Sequence, residues 1–309
     1  MEGASLRVIC GPTAAGKSAI ATDLAAEYGA TIVSADSRQV YRGFDIGTAK
    51  PSRELRSRVP HCGIDTAEPV ERYSAARWAG EADRWIGEAE RSGRAPLIVG
   101  GTGLYIRSLF EPFAESPVLD TVRRERLAAE LGGKSIAQLQ RWCEALDRPR
   151  AHLGRTQLLR SIETALLSGT RLSDAHARAR TAPSRGRRRR ARYLVVDAGE
   201  TSADRIARRA REMFDGGWVE EVSALMQIVP ADAPAWKSAG YTAVRALAEG
   251  TLDLSSAVEK VIIETRQYAK RQRTWFRHQL PADTVTRLDP GGSPAQQRAA
   301  VREWWEKSE

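Results

Sequence analysis

The sequence predicts an α/β protein whose parallel sheet is interrupted by an all-helical lobe. Three observations carry that expectation. Short apolar, β-rich runs alternate with helix-periodic segments before residue 113 and resume after residue 191, the alternation of a parallel sheet with helices on both faces. Between those parts lies a long stretch without strand-like runs. One strand–helix junction carries Gly11-Pro12-Thr13-Ala14-Ala15-Gly16-Lys17-Ser18, a Gly-x-x-x-x-Gly-Lys-Ser loop, so the core is expected to be P-loop NTPase-like.

Leu6 to Cys10 is apolar and stops at a glycine, as a buried parallel strand does. A helix follows from Lys17 to about Glu27, with Ile20 and Leu24 on one face. Ala30 to Ala35 reads as a second strand ending at Asp36. Ser74 to about Arg91 is helical, with Trp78 and Trp85 two turns apart and Ser92-Gly93 as the stop. Pro96 to Val99 is the next strand, closed by Gly100-Gly101-Thr102-Gly103. From Asp120 to about Ser173 the chain is rich in Arg, Ala, Glu and Leu and reads as all helix. Thr181 to Arg192 is an arginine-dense connection, after which Tyr193 to Val196 restores the sheet. Ile206, Ala210, Met213, Phe214, Trp218, Val222 and Leu225 keep helical spacing with a break at Gly216-Gly217, and read as core rather than as ligand contacts. The expected division is a catalytic core over 1–113 and 191–280, a helical insertion over 114–190, and a tail over 281–309 ending in a polar, loosely packed helix.

The 309 residues are 42% hydrophobic and 28% charged, as in ordinary globular proteins. Lysine and arginine number 48 against 39 acidic residues, a net charge of +9 that suits a polyanionic partner. A generic arginine-rich composition accounts for that balance equally well. No apolar stretch approaches the ~20 residues needed to span a bilayer. Met1 to Ser5 is too short and polar for a secretion signal, so a cytoplasmic protein without membrane association is expected, and a monomer is the expected state. Cys10, Cys62 and Cys143 form no Cys-x-x-Cys pair, and His61, His152, His176 and His278 lack metal-ligand spacing.

The P-loop explains itself chemically. Its glycines let backbone N–H groups at a helix N-terminus close on phosphate oxygens, Lys17 adds a positive charge, and the Ser18 hydroxyl is placed to ligate Mg²⁺. A chance match somewhere in the chain has a probability of roughly 1 in 100, and this one sits between a strand and a helix as the motif requires. Alone it points to a kinase or NTPase.

Further motifs point elsewhere. Ser34-Ala35-Asp36-Ser37-Arg38-Gln39-Val40-Tyr41 ends the second strand, and Asp45-Ile46-Gly47-Thr48-Ala49-Lys50-Pro51 follows. Later come Gly100-Gly101-Thr102-Gly103-Leu104-Tyr105, Tyr268-Ala269-Lys270-Arg271-Gln272 and Trp275. With these motifs in this order the chain resembles the tRNA dimethylallyltransferases, or tRNA isopentenyltransferases, from about Val8 to Arg277.

That resemblance implies dimethylallyl pyrophosphate as donor, held by Gly11, Pro12, Thr13, Ala14, Ala15, Gly16, Lys17 and Ser18 with Mg²⁺, and by Arg266. It implies Asp36 as general base toward the exocyclic amino group of an adenosine beside the anticodon. An aromatic amine must shed a proton as its nitrogen bonds the allylic carbon, and a placed carboxylate can accept it. Thr102 would bond the same adenosine, with Gly100 and Gly101 allowing close backbone approach. Ser37, Arg38, Gln39, Arg123, Gln157 and Arg160 match positions that touch tRNA, and the insertion matches the lobe that grips the anticodon stem-loop. Read without the resemblance, Asp36 caps a turn, Arg266 to Arg273 is a solvated basic face, and the run Arg185, Arg187, Arg188, Arg189, Arg190 and Arg192 is either a backbone-binding strip or a disordered loop. Gln157 stands where the family usually has a basic residue, and Thr242 where a basic or polar one follows Gly240-Tyr241.

Three rival activities remain on the sequence. A small-molecule or nucleotide kinase would need an acidic Mg²⁺ partner, for which Asp197 is available. Prenylation of free adenine nucleotides would need neither the insertion nor the charge. A non-catalytic RNA-binding protein leaves Lys17, Ser18 and Asp36 without a purpose.

Overall fold

The computed structural model describes residues 5–111, 117, 119–181 and 189–307. Strand β1 (Leu6–Cys10) leads through the P-loop into α1 (Lys17–Tyr28), followed by β2 (Thr31–Ser34), α2 (Arg53–Arg58), β3 (His61–Cys62), α3 (Ala75–Arg91), β4 (Pro96–Gly100) and α4 (Gly103–Phe110). Helices α5 (Thr121–Gly132), α6 (Ile136–Asp147), α7 (Arg155–Ser168) and α8 (Leu172–Thr181) come next. The chain then returns through β5 (Ala191–Val196), α9 (Ser202–Asp215), α10 (Trp218–Ile228), α11 (Tyr241–Ala248), α12 (Leu254–His278), β6 (Val285–Leu288) and α13 (Pro294–Glu306).

The six strands form one parallel sheet in the order β3-β2-β4-β1-β5-β6. β1 is central: Val8 lies opposite Ile98 on one side and Tyr193 on the other. The P-loop therefore leaves the carboxyl end of a strand flanked on both sides, where open α/β sheets place their ligand crevice.

Helix α3 shows how local sequence sets the packing. The Ser74 hydroxyl accepts the Arg77 N–H as its N-cap, and Ala75, Trp78, Ala82, Trp85, Ile86 and Ala89 bury one face. The Trp78 indole N–H donates to the Ser34 carbonyl at 2.9 Å, fixing the end of β2 just before Asp36.

The chain divides into two compact units, Met1–Phe110 with Arg188–Glu309, and Glu111–Arg187. The second has its own core of Leu131, Leu139, Cys143, Leu158 and Ile162. In the first, the 281–309 segment departs from expectation. It is not a loose tail, because β6 extends the sheet beside β5 and α13 buries Val301, Trp304 and Trp305 in the main core. Arg7 donates to the Trp305 carbonyl at 2.7 and 3.0 Å and lies 4.5 Å over that indole. The apolar residues cluster in the last turns of α13, so the helix as a whole looks polar. Among the described residues no helix is long and apolar enough to cross a membrane.

Candidate active site

A cavity of about 590 Å³ lies in the first unit at the carboxyl ends of β1, β2 and β4. Thr13, Ala14, Gly16, Lys17 and Ser18 line one end. Gly11 cannot be replaced there: at φ 141° a Cβ would stand 2.0 Å from the Val196 carbonyl oxygen. Gly16, also at positive φ, ends the loop and starts α1. The Lys17 ammonium donates to the Pro12 carbonyl at 2.6 Å. Although the side chain keeps some solvent exposure, burial of its ammonium lowers the pKa to about 8, with Arg209 adding to the depression and Asp36 opposing it. Burial also pushes the neighbouring Cys10 thiol up to about 12, so it stays neutral.

Asp36 lines the same cavity. Its Oδ1 accepts the Arg38 N–H at 2.8 Å and, more weakly, that of Gln39 at 3.4 Å, while Oδ2 accepts no hydrogen bond from a described residue. The carboxylate thus caps its turn and also presents one oxygen for chemistry, so the two sequence readings of Asp36 describe two atoms of one group. Arg38 lines the cavity as well.

Other expected contacts are arranged differently. The Gln39 carbonyl oxygen accepts the Ser34 hydroxyl, and its amide donates to the Thr48 and Ala49 carbonyls, which commits the side chain to the protein's own loop. Thr102 and Ser37 are not among the residues that line the cavity. The Thr102 hydroxyl accepts the Ser37 N–H at 3.0 Å and lies within hydrogen-bonding reach of Tyr268, whose phenol burial raises to about 12. Gly100 and Gly101 line the cavity and also make room for protein: a Cβ would meet the Ala35 carbonyl oxygen at 2.2 Å or the Gln272 amide at 2.3 Å.

Arg266 is exposed and lies outside the lining, because the cavity face of α12 is Val261, Thr265, Tyr268 and Gln272 at helical spacing. The cations facing the P-loop end come instead from α9, as Arg205, Arg208 and Arg209. Arg208 pairs with Glu212 at 3.5 Å and Arg205 donates to the Pro290 carbonyl, whereas Arg209 has no carboxylate within ion-pair distance among the described residues. Ile206, Ala210, Met213 and Trp218, expected as core alone, also line the cavity. The apolar stripe of α9 is visible in the sequence, but nothing in the sequence marks which arginines between its members face the cavity.

In the second unit, Arg123, Gln157 and Arg160 are exposed on α5 and α7. Partial burial of the guanidinium at its base, with the nearby Arg124 and Arg150 adding to it, lowers the Arg160 pKa. Of the arginine run, Arg185, Arg187 and Arg188 lie outside the described residues. Arg189 bonds Glu90 at 2.9 Å and approaches Asp83 at 3.9 Å, and Arg192 donates to the Lys307 carbonyl.

The model of the family described as IPP transferase matches residues 39–279, and that of isopentenyl transferase matches residues 4–59. A tRNA dimethylallyltransferase of Gloeobacter violaceus is 41% identical over 277 residues, covering 87% of this chain and 88% of its own. The chain belongs to the tRNA dimethylallyltransferase family. A second relative so named, from an Anaeromyxobacter species, is 40% identical over 91% of this chain and 94% of its own. The crystal structure of the Staphylococcus epidermidis tRNA isopentenylpyrophosphate transferase superposes with a TM-score of 0.67 at 30% identity, covering 97% of each chain. A eukaryotic dimethylallyltransferase captured acting on tRNA shares the fold, with a TM-score of 0.76 at 23% identity over 96% of this chain and 78% of its own. In this member of the family the P-loop and Asp36 line one cavity.

Proposed function

We propose that the protein transfers a dimethylallyl group from dimethylallyl pyrophosphate to the exocyclic amino nitrogen of the adenosine 3′-adjacent to the anticodon in a subset of tRNAs. The observation that carries this reading is the shared cavity, with a P-loop and the unpaired Arg209 at one end and a half-committed carboxylate, Asp36, in the same space. Family membership supports it.

The step balances simply. The bond from the allylic carbon to oxygen breaks, its electron pair leaves with pyrophosphate, the amino nitrogen bonds that carbon, and the nitrogen's proton passes to Oδ2 of Asp36. Negative charge grows on the leaving oxygens, where Lys17 and Arg209 are already placed and most stabilising. Arg205 and the α1 N-terminus assist.

Ser18 opens α1 and lines the cavity, and the described residues contain no cluster of His, Cys, Asp or Glu able to hold a metal. A magnesium ion drawing most of its oxygens from the donor and from water fits that donor set. When bound through Ser18 it would supply further charge neutralisation on the pyrophosphate.

A stacked anticodon-loop adenine cannot reach Asp36, so the base enters extruded from its loop. The exposed Arg123 and Arg160 suit the stem-loop phosphates. The kinase reading loses its acidic partner: both Asp197 oxygens accept the Arg273 Nε–H, at 2.9 and 3.0 Å, leaving that carboxylate in a structural ion pair. The test is to incubate the protein with tRNA, Mg²⁺ and labelled dimethylallyl pyrophosphate and map the labelled nucleoside. Label beside the anticodon is expected; turnover of ATP without transfer to tRNA would overturn the reading.

A further inference from the structure

Beyond its charged end, the cavity has an apolar end that the chemistry above does not explain. On α9, Arg205 and Arg209 face the P-loop end, and Ile206, Ala210 and Met213 continue along the same helix toward Trp218. The rise from Arg209 to Met213 is about 6 Å, so a donor held by its pyrophosphate at the arginines has its hydrocarbon tail laid along that row.

Trp218 is 1% exposed, and its indole is clamped between two glycines. A Cβ on Gly47 would lie 2.2 Å from its Cζ2, and one on Gly240 would lie 2.4 Å from its Cη2. Behind it, Tyr241 packs edge-on at 5.3 Å and in turn tilts against Phe44 at 4.8 Å. The Tyr241 hydroxyl donates to Glu221, which also accepts the Asp45 and Ile46 N–H groups. The two glycines and Tyr241 therefore hold the ring closely from behind.

Resting on the proposed function, we infer that Trp218 is the end wall that limits the transferred prenyl group to one isoprene unit. The P-loop and the arginines read only pyrophosphate, which every prenyl donor carries, so discrimination by length must come from the apolar end. A donor with a second isoprene unit must either push its tail into the indole or lift its pyrophosphate off Lys17 and Arg209.

The experiment compares pyrophosphate, dimethylallyl pyrophosphate and geranyl pyrophosphate as ligands and donors, with one tRNA. In the wild type, geranyl pyrophosphate should bind no tighter than pyrophosphate itself and should be transferred at least about 100-fold more slowly than dimethylallyl pyrophosphate. Tighter binding of geranyl than of dimethylallyl pyrophosphate would overturn the proposal without any variant. Trp218→Leu should raise the ratio of geranyl to dimethylallyl transfer at least about tenfold, the scale on which apolar pockets separate homologues. A folded Trp218→Leu protein with the wild-type ratio would place the wall elsewhere. Ala210→Leu, which fills the row instead, should lower kcat/KM for dimethylallyl pyrophosphate by about tenfold while inhibition by pyrophosphate stays within about threefold. Unchanged use of dimethylallyl pyrophosphate by folded Ala210→Leu would show that the tail runs elsewhere. Absence of transfer from dimethylallyl pyrophosphate to tRNA by the wild type would remove the proposed function itself, whereas a working wild type with both variants unaltered removes only the length gauge.

Discussion

The side-chain oxygen of Gln272 accepts the backbone N–H of Thr13 at 2.8 Å. Its amide nitrogen donates to the Gly101 carbonyl at 2.8 Å, so one buried side chain on α12 ties the P-loop to the loop after β4. The Thr13 N–H is thereby spent on the protein and not on the donor. Gln272→Ala should leave the buried Gly101 carbonyl and the half-buried Thr13 N–H without their partner, at up to about 1–3 kcal/mol for the buried group. Thermal unfolding should show the loss, and the donor KM should rise because the P-loop loses its register. Unaltered stability and KM would mean that water replaces the bridge.

Lys17 links donor binding to pH. Burial lowers the pKa of its ammonium to about 8. Pyrophosphate binds the charged form and so raises that pKa. Donor affinity should therefore be full below about pH 7 and fall toward tenfold per pH unit above 8, as each pKa unit corresponds to about 1.4 kcal/mol. Titrations with Lys17→Arg should lose this break, since a guanidinium stays charged. Lys17→Ala should cripple donor binding while leaving tRNA affinity nearly intact.

The arginines can be told apart directly. Arg209→Gln should lower kcat/KM by about 10²-fold, the typical loss of one charge-stabilising donor in a closed site. Arg266→Gln, on the exposed side of α12, should change it by less than about threefold. Steady-state kinetics with both variants decide between them, and the reverse order would return Arg266 to the donor site.

The sequence carried the sheet's central strands, because each is an apolar run bounded by a glycine or a turn. It also carried the P-loop, Asp36 and the Gly216-Gly217 break. It could not carry β3, which is two residues long, or β6, whose exposed Thr286 and Arg287 mask its pairing with β5. Nor could it separate Arg209 from Arg266: both sit on basic helices, and only the packing of α9 and α12 decides which face meets the cavity. Gln272 and Tyr268 were within reach, since their spacing with Thr265 and Val261 marks one face of a helix.

The arginine run should divide by position. Arg189 and Arg192 are engaged with Glu90, Asp83 and the α13 end, so Arg189→Ala should cost at most about 1 kcal/mol of stability and leave the salt dependence of tRNA binding unchanged. Charge reversal at Arg185, Arg187 and Arg188 should instead flatten that dependence, each lost phosphate contact removing about 0.7–0.9 from the slope of log K against log salt. A flattened slope for Arg189→Ala alone would show that its ion pairs yield to RNA.

The most direct test of the account is single-turnover transfer by Asp36→Asn. Asparagine keeps the oxygen that accepts the Arg38 N–H, so the turn should survive and donor and tRNA affinities should stay within a few-fold. It cannot take the proton from the adenine nitrogen, and loss of a general base typically costs about 10²–10⁴ in rate. The account predicts a folded protein that binds both substrates and transfers the prenyl group slower by that factor. A folded Asp36→Asn protein with a near-wild-type single-turnover rate would contradict it.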